Sequence, residues 1–476
     1  ALRFTPLSGP ACGPFPSTGF GSVADSLSAG RLAPTLLLLT LLSTAFNISP
    51  LTGQAPPQAH DQPLIQWAWP VDQVDRLGGR FWPQFRGPNG DGIAAIDSRP
   101  PLNWGEDAET LVWKLPIAGR AWSSPVIWGD RIYLTNATPD GRQQSVLFVD
   151  LDSGRVLLDK VLFENEEPQP DHHVFNSYAS PTPVVDAEHL FVHFGAYGTA
   201  CLNRHTAETV WVRQDLPCNH FRGPGSSPIL FEDLLIFHMD GFDYQYIVAL
   251  DRYTGETRWR QEREIDYRTD NGDYYKAYST PMLTMWDEQV QLISPASKAT
   301  LAYRPQTGEM LWRVSYDEFS GTARPIRHDD LVLLSTGFSR AKMLAVQLGG
   351  QGDLTEEHIA WQQDRYVGSK PSPLTHAGLV FNVHDDGIVS CSQAQDGELL
   401  WRHRLGGNFT ASPVLADGRL YLLDEQGSGY CLAADAEGTI LAQQQLDEGC
   451  LASPAILESS LIIRTRTHLY RFDRSP

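Results

Sequence analysis

Residues 223–259 read "GPGSSPILFEDLLIFHMDGFDYQYIVALDRYTGETRW", and this stretch decides the fold. Ser-Pro opens an apolar run, a short turn follows, and "LLIFHM" makes a second run. A third, "YIVALD", ends in the turn "RYTG", and the next run carries Trp259. Short runs rich in β-branched and aromatic residues, punctuated by Gly, Asp and Thr, read as four strands joined by tight turns.

The same word recurs. "WSSPV" holds Pro125, "YASPTPV" Pro181, "GSSPI" Pro228 and "YSTPM" Pro281. "TARPI" holds Pro325, "KPSPL" Pro373, "TASPV" Pro413 and "LASPA" Pro454. The intervals of 40 to 56 residues match the length of a four-stranded propeller blade, and the count is eight. Trp259, Trp312 and Trp401 each follow a turn glycine by four residues, and Trp211 follows Ala207 likewise. The eighth repeat stops after three strands, while "TLVWKLPI" supplies a surplus Trp113 strand ahead of the first word. Pairing the two removes two exposed edges, so the expected fold is all-β: an eight-bladed β-propeller of four-stranded antiparallel blades, closed by an N-terminal strand that completes the last blade.

The chain has 476 residues, 40 Gly, 33 Pro and 13 Trp, in keeping with many short strands. A formal net charge of −20 opposes nucleic-acid binding, which needs a basic face. Residues 1–45 read as an N-terminal extension and signal peptide. Arg31 precedes the apolar run "LAPTLLLLTLLSTAF", too short for a stable membrane span, with small residues for cleavage near Ala45. Residues 1–22, ahead of that signal, are expected to be absent from the natural protein. Cys12 lies upstream of the apolar run and is no lipobox cysteine. Residues 46–80 read as a flexible linker and lead-in, and residues 81–476 as the propeller. The expected location is the periplasm or cell envelope, as a monomer.

These features resemble the pyrroloquinoline-quinone-like propeller repeat shared by quinoprotein dehydrogenases and the outer-membrane assembly lipoprotein BamB. "WPQFRGPNGDG", "NSYASPTPV", "FGAYGTACL", "GPGSSPIL" and "RTRTHLYRF" resemble the exported BamB-like proteins of planctomycetes, from Phe81 to Phe472. The resemblance implies a module that docks an envelope protein partner through loops and blade edges. It also raises the alternative of an oxidoreductase using pyrroloquinoline quinone (PQQ) with calcium. That chemistry needs a vicinal disulfide, a Glu and Asn on calcium and a catalytic Asp. The sequence has no adjacent cysteines and no C-x-x-C-H haem motif, so no catalytic residue carries over and no cofactor is expected. Surface glycan binding is a third reading.

Metal signals are thin. "HDDG" at 384–387 and "DHH" at 171–173 fall beside strand ends, where polar turn residues belong. Cys201, Cys391 and Cys431 recur at one place in the repeat and read as small buried strand residues, whereas Cys218 with Cys450 is the candidate disulfide.

Aligned on Pro, the preceding position is Ser124, Ser180, Ser227, Thr280, Arg324, Ser372, Ser412 and Ser453, so Arg324 interrupts a ring of hydroxyls. A buried Arg there marks an internal ion pair or a ligand contact. The loops leading into the inner strands carry Arg120, Asn176, Arg222, Lys276, Lys370 and Asn408. With Arg324 these form a candidate cationic funnel at the channel mouth for a small anionic ligand. The competing reading is that the cations pair with nearby carboxylates and knit blades together. Phe-Arg-Gly-Pro occurs twice, at 85–88 and 221–224. The second copy is a mouth loop presenting Arg222, and the first a turn-rich lead-in packed on the ring.

Overall fold

A computed structural model describes residues 68–69, 74–169 and 173–474. The proposed signal peptide and most of the linker lie outside them. Within the lead-in, Trp69 is buried and its Nε1 donates to the Val185 carbonyl at 2.9 Å.

Eight four-stranded antiparallel blades follow one another around an axis; Phe81–Trp82 adds a strand to the inner edge of the first, and Gly352–Asp353, from the fifth repeat, pairs parallel with the outer strand of the fourth. Blade 3 shows the plan: Ile229–Phe231, Leu234–Asp240, Gln245–Asp251 and Thr257–Glu262 run from the axis outward. The two inner strands are buried on both faces and read as continuous apolar runs, whereas outer strands such as Leu399–Arg404 alternate in exposure. Blade 8 consists of Ala455–Ile456, Ser460–Arg464 and His468–Asp473, completed by Leu111–Pro116. Register runs from Leu111 opposite Phe472 to Pro116 opposite His468, so the ring closes as the sequence predicts.

Five tryptophans bind their blade to the next, whereas Trp312 Nε1 donates to Gln291 Oε1 of its own blade at 2.8 Å. Nε1 of Trp113, Trp211, Trp259, Trp361 and Trp401 donates to the carbonyls of Leu151, Arg252, Pro305, Ala394 and Asp435 in the following blade, at 2.8–3.1 Å. The ring then lies flat on that blade's turn glycine. At Gly438 (φ +62°) a Cβ would stand 2.2 Å from the Trp401 ring, so the glycine is required twice, for its backbone and for the ring above it. Ala207 (φ +60°) replaces the glycine in blade 2. The outer strand of blade 1, Val156–Glu164, holds no Trp, and Lys160 Nζ donates to the Ala207 carbonyl instead, at 2.8 Å.

The ring of hydroxyls is a belt of hydrogen bonds. The amide of Ser453 donates to Ser124 Oγ, that of Ser412 to Ser453, that of Ser372 to Ser412 and that of Arg324 to Ser372, at 2.9–3.0 Å. Across the ring, Ser124 N donates to Thr182 Oγ1, Thr182 N to Ser227 Oγ and Ser227 N to Thr280 Oγ1, at 2.9–3.1 Å. Blade 2 thus enters the belt through Thr182, not Ser180. Its inner strand begins at Val184, so its repeat word is aligned on Pro183. The sequence "SPTP" offers two prolines, and alignment on Pro181 is two residues early.

Two further expectations are corrected. Cys218 and Cys450 are free buried thiols rather than a disulfide, and Cys218 Sγ lies 3.6 Å from His220 Nδ1. The first Phe-Arg-Gly-Pro does not merely pack on the ring but plugs the channel. Phe81 and Trp82 pair with the inner strand of blade 1, and Val185 N of blade 2 donates to the Pro83 carbonyl at 2.9 Å. Arg86, fully buried, donates to the carbonyls of Pro373 (2.8 Å) and Asp91 (2.6 Å), with longer contacts to Ser372 and Pro413. Leu415 N of blade 7 donates to Gly92 O, and Ala94 N donates back to Leu415 O, at 2.8 and 2.9 Å.

Candidate functional site

Above the plug lies a cavity of about 330 Å³ opening at the mouth. Phe85, at the plug's tip, borders it from below, while Gln84, Pro88 and Asn89 border a second cavity of about 50 Å³ on the plug's other side. The upper cavity is therefore blind. Belt hydroxyls of Ser124, Thr182, Ser227, Thr280, Ser412 and Ser453 line its depth, and each already accepts a backbone N–H.

Of the seven predicted site residues, the structure brings Asn176, Arg222, Lys276 and Lys370 to this cavity. Arg324 is not among them. It is 3 % exposed beneath the plug, donating Nη1 to Gly90 O (2.5 Å) and Nε to Pro281 O (3.1 Å), and it borders the smaller cavity. Its break in the hydroxyl ring marks the seat of the plug. Arg120 stands outside the lining, its guanidinium 5.4 Å from the Trp122 ring, and Asn408 is exposed in its loop.

The cations have partners, as the competing reading expects. Lys276 pairs with Asp273, and Lys370 Nζ lies 3.1 Å from Glu425 Oε1 and 3.8 Å from the centroid of the Phe175 ring. Arg222 differs: Nε is 3.9 Å from Asp273 Oδ1, and its side chain makes no hydrogen bond among the described residues. Its loop is strained into position. Phe221 takes φ +56°, uncommon for a bulky residue, and is held by Asn219 Oδ1 accepting its amide at 3.0 Å. The Arg222 guanidinium stacks 4.5 Å from the Phe221 ring. The two Phe-Arg-Gly-Pro copies share a positive-φ glycine, Gly87 (+79°) and Gly223 (+96°), but Arg86 is sealed in the core and Arg222 faces the pocket.

The pocket is electropositive although the protein is acidic. Burial, and then the charges of Arg222, Lys370 and Lys276, hold the His173 imidazole below its ordinary value. Burial likewise lowers Lys276, partly offset by Asp273. Around the channel, burial depresses Arg86 and Arg464 to about 9 and Arg324 to about 10, still charged at neutral pH. Arg464 donates to Ser123 Oγ and to the carbonyls of Ser123 and Thr135, so it brings positive charge without a carboxylate. In a low-dielectric setting such charges project into the cavity.

Sequence reasoning missed the rings. Trp122, Phe175, Tyr278, Phe319 and Phe338 line the cavity beside Phe85. Trp122 and Tyr278 each stand three residues before their repeat proline, a regularity visible in sequence. Phe85 arrives from a distant segment and leaves no such trace.

Calcium fits these residues poorly, because it requires six to eight oxygens including carboxylates. Asp273, the one lining carboxylate among the described residues, is paired with Lys276. Asn176 Oδ1 already accepts from Ser177 N and Ser180 Oγ, at 2.8 and 2.5 Å. Among the described residues no group of three or more His, Cys, Asp or Glu could hold a metal ion. His384 faces Asp386, and Asp385 accepts from the amides of Ser369 and Lys370, so that motif is structural.

Eight blades with Ser-Pro inner strands and inter-blade tryptophans define a PQQ-like β-propeller. The chain belongs to the family described as outer membrane protein assembly factor BamB, which it matches over residues 102–274 and 297–473. It is 20% identical over 370 residues to the outer membrane protein assembly factor BamB of Yersinia pestis, spanning 75% of this chain and 88% of that one. Among solved structures it is similar to a europium-containing methanol dehydrogenase (TM-score 0.63, 11% identity, covering 85% of this chain and 100% of that one). It is also similar to BamB from Moraxella catarrhalis (TM-score 0.53, 14% identity, 76% and 99% covered). At these identities the structural likeness is one of fold.

Proposed function

We propose that this chain is an exported, non-catalytic propeller of the cell envelope that binds a partner or small anionic ligand at its channel mouth. Membership in the BamB family supports the scaffolding part. No helix among the described residues is long and apolar enough to cross a membrane. The observation that carries the reading is the chemistry of the pocket wall: cations and rings face the cavity, while its deeper hydroxyls already accept the backbone N–H groups of the belt. Such a wall is suited to holding an anion with an apolar body. The test is reversal of charge in the pair Arg222→Glu and Lys370→Glu, with circular dichroism as the fold check. Loss of a captured envelope partner or of anion binding supports the reading; a folded variant that retains every interaction overturns it.

The second reading, a PQQ-dependent oxidoreductase, is favoured by the likeness to the methanol dehydrogenase fold. The cations and rings suit an anionic quinone, but the shortage of free carboxylates does not suit calcium. Titrating PQQ with and without calcium, followed by tryptophan quenching and calorimetry, separates the two. Saturable binding that requires calcium would favour the oxidoreductase.

A further inference from the structure

We propose that the mouth pocket receives the end of a ligand rather than its middle, and that this end is an apolar or aromatic group bearing one carboxylate, gripped by Arg222. The inference rests on the reading of the mouth as the binding site and names the chemistry it selects.

Three observations converge. The first is the blind floor: with Phe85 at its base, the cavity cannot pass a continuous chain, and about 330 Å³ suits one compact head group. The second is the state of the cations. Of the three that line the cavity, Lys276 and Lys370 already hold carboxylates of the protein, while the Arg222 side chain makes no hydrogen bond among the described residues. A planar guanidinium backed by the Phe221 ring, with its donors unused, is matched by the two oxygens of a carboxylate. Asp273 serves both Lys276 and, at 3.9 Å, Arg222, so the three cations face two protein carboxylates and the one positive charge left over suits a monoanion rather than a polyanion.

The third is the distribution of rings. Phe175 and Phe319 line the cavity, Tyr274 packs 4.4 Å from Phe319, and Phe338 is 43% exposed. They supply an apolar wall whose exposed part is unexplained by packing within the ring. A head group with an apolar body and one charged edge satisfies both walls. Two sources carry it: a free aromatic acid, or the C-terminal residue of a polypeptide.

The experiment uses the full chain, with calorimetry and tryptophan fluorescence as readouts. The probes are 3-phenylpropionate and its amide, together with a short peptide ending in Phe as the free acid and as the amide. The acids are expected to bind roughly tenfold or more tighter than their amides. Arg222→Gln should erase that difference and Arg222→Lys restore part of it. Arg80→Gln, at the Arg80–Asp152 ion pair far from the mouth, should change neither. Phe85→Ala, or Phe85→Leu if the alanine variant fails to fold, should shift preference toward longer phenylalkanoates. A peptide acid that outbinds the free acid assigns the site to a chain terminus, and the reverse order assigns it to a small molecule; both support the head group. Equal binding of acid and amide, tighter binding of inorganic phosphate, or indifference to Arg222→Gln overturns it. Partner capture that depends on the mouth without any acid-over-amide preference overturns this inference alone. If neither capture nor probe binding responds to charge reversal, the mouth reading fails with it.

Discussion

Replacing Ser412 by alanine removes one link of the hydroxyl belt, and its cost follows from the geometry. The Ser372 amide, 2.9 Å from Ser412 Oγ, loses its acceptor, whereas the Ser412 amide keeps its own bond to Ser453. Both serines are buried, and one unsatisfied buried N–H costs about 1–3 kcal/mol. Ser412 borders the mouth cavity, so water can replace the hydroxyl in part, which places the expected loss near 1.5 kcal/mol. For a folded unit of this size, that is about 2 °C in Tm. Ser412→Thr keeps the oxygen and should fall within about 0.5 kcal/mol of the parent, since Thr182 and Thr280 already serve in the belt. Urea unfolding followed by tryptophan fluorescence, with calorimetry for Tm, measures both variants. An alanine variant indistinguishable from the parent, or a threonine variant as weak as the alanine, would refute the belt as a source of stability. Combining Ser372→Ala, Ser412→Ala and Ser453→Ala tests whether the links add or reinforce one another.

Three other outcomes are expected. Gly438→Ala forces a Cβ against Trp401 at a positive φ and should cost about 2–4 kcal/mol in urea unfolding, whereas Ala207→Gly, with no Trp above it, should stay within about 1 kcal/mol. Arg86→Ala should release the plug before the ring unfolds, seen as faster hydrogen exchange at Gly92, Ala94 and Leu415 with little change at Ile236 in blade 3; unchanged exchange at the first three counts against the plug's dependence on Arg86. Burial lowers His193 from 6.5 to about 3 and His220 to about 4, and holds His238 well below its ordinary value. The unfolded chain therefore binds more protons, so stability present above about pH 6.5 should fall on acidification by up to about 1.4 kcal/mol per pH unit for each histidine, and a flat urea midpoint from pH 7 to 4 would contradict it.

The blades, their number and the closing strand were legible because each leaves a periodic mark: Ser-Pro at the axis, a turn glycine, and Trp four residues later. Blade 2 shows the limit, since two prolines in "SPTP" satisfy the same pattern and only pairing at Val184 chooses between them. The loops before the inner strands announced four residues of the pocket. Arg324 was visible as an exception to the hydroxyl ring, but its partners are the carbonyls of Gly90 and Pro281, and every residue type has a carbonyl. The plug escaped sequence reading for the same reason: Arg86 holds backbone, so nothing in blades 6 or 7 advertises the contact.

The closing seam also sets an order of events. Pro116 faces His468, so an early strand must wait for about 350 more residues before it gains its partner. At roughly 5–20 residues per second that delay is on the order of 20–70 s. Until then blade 8 does not exist, blade 1 has no Trp113 seated on Gly154, and a strand edge stands open to other chains. Closure of this ring thus waits on the arrival of the His468–Asp473 strand, and the Leu111–Pro116 strand must stay out of aggregates until then.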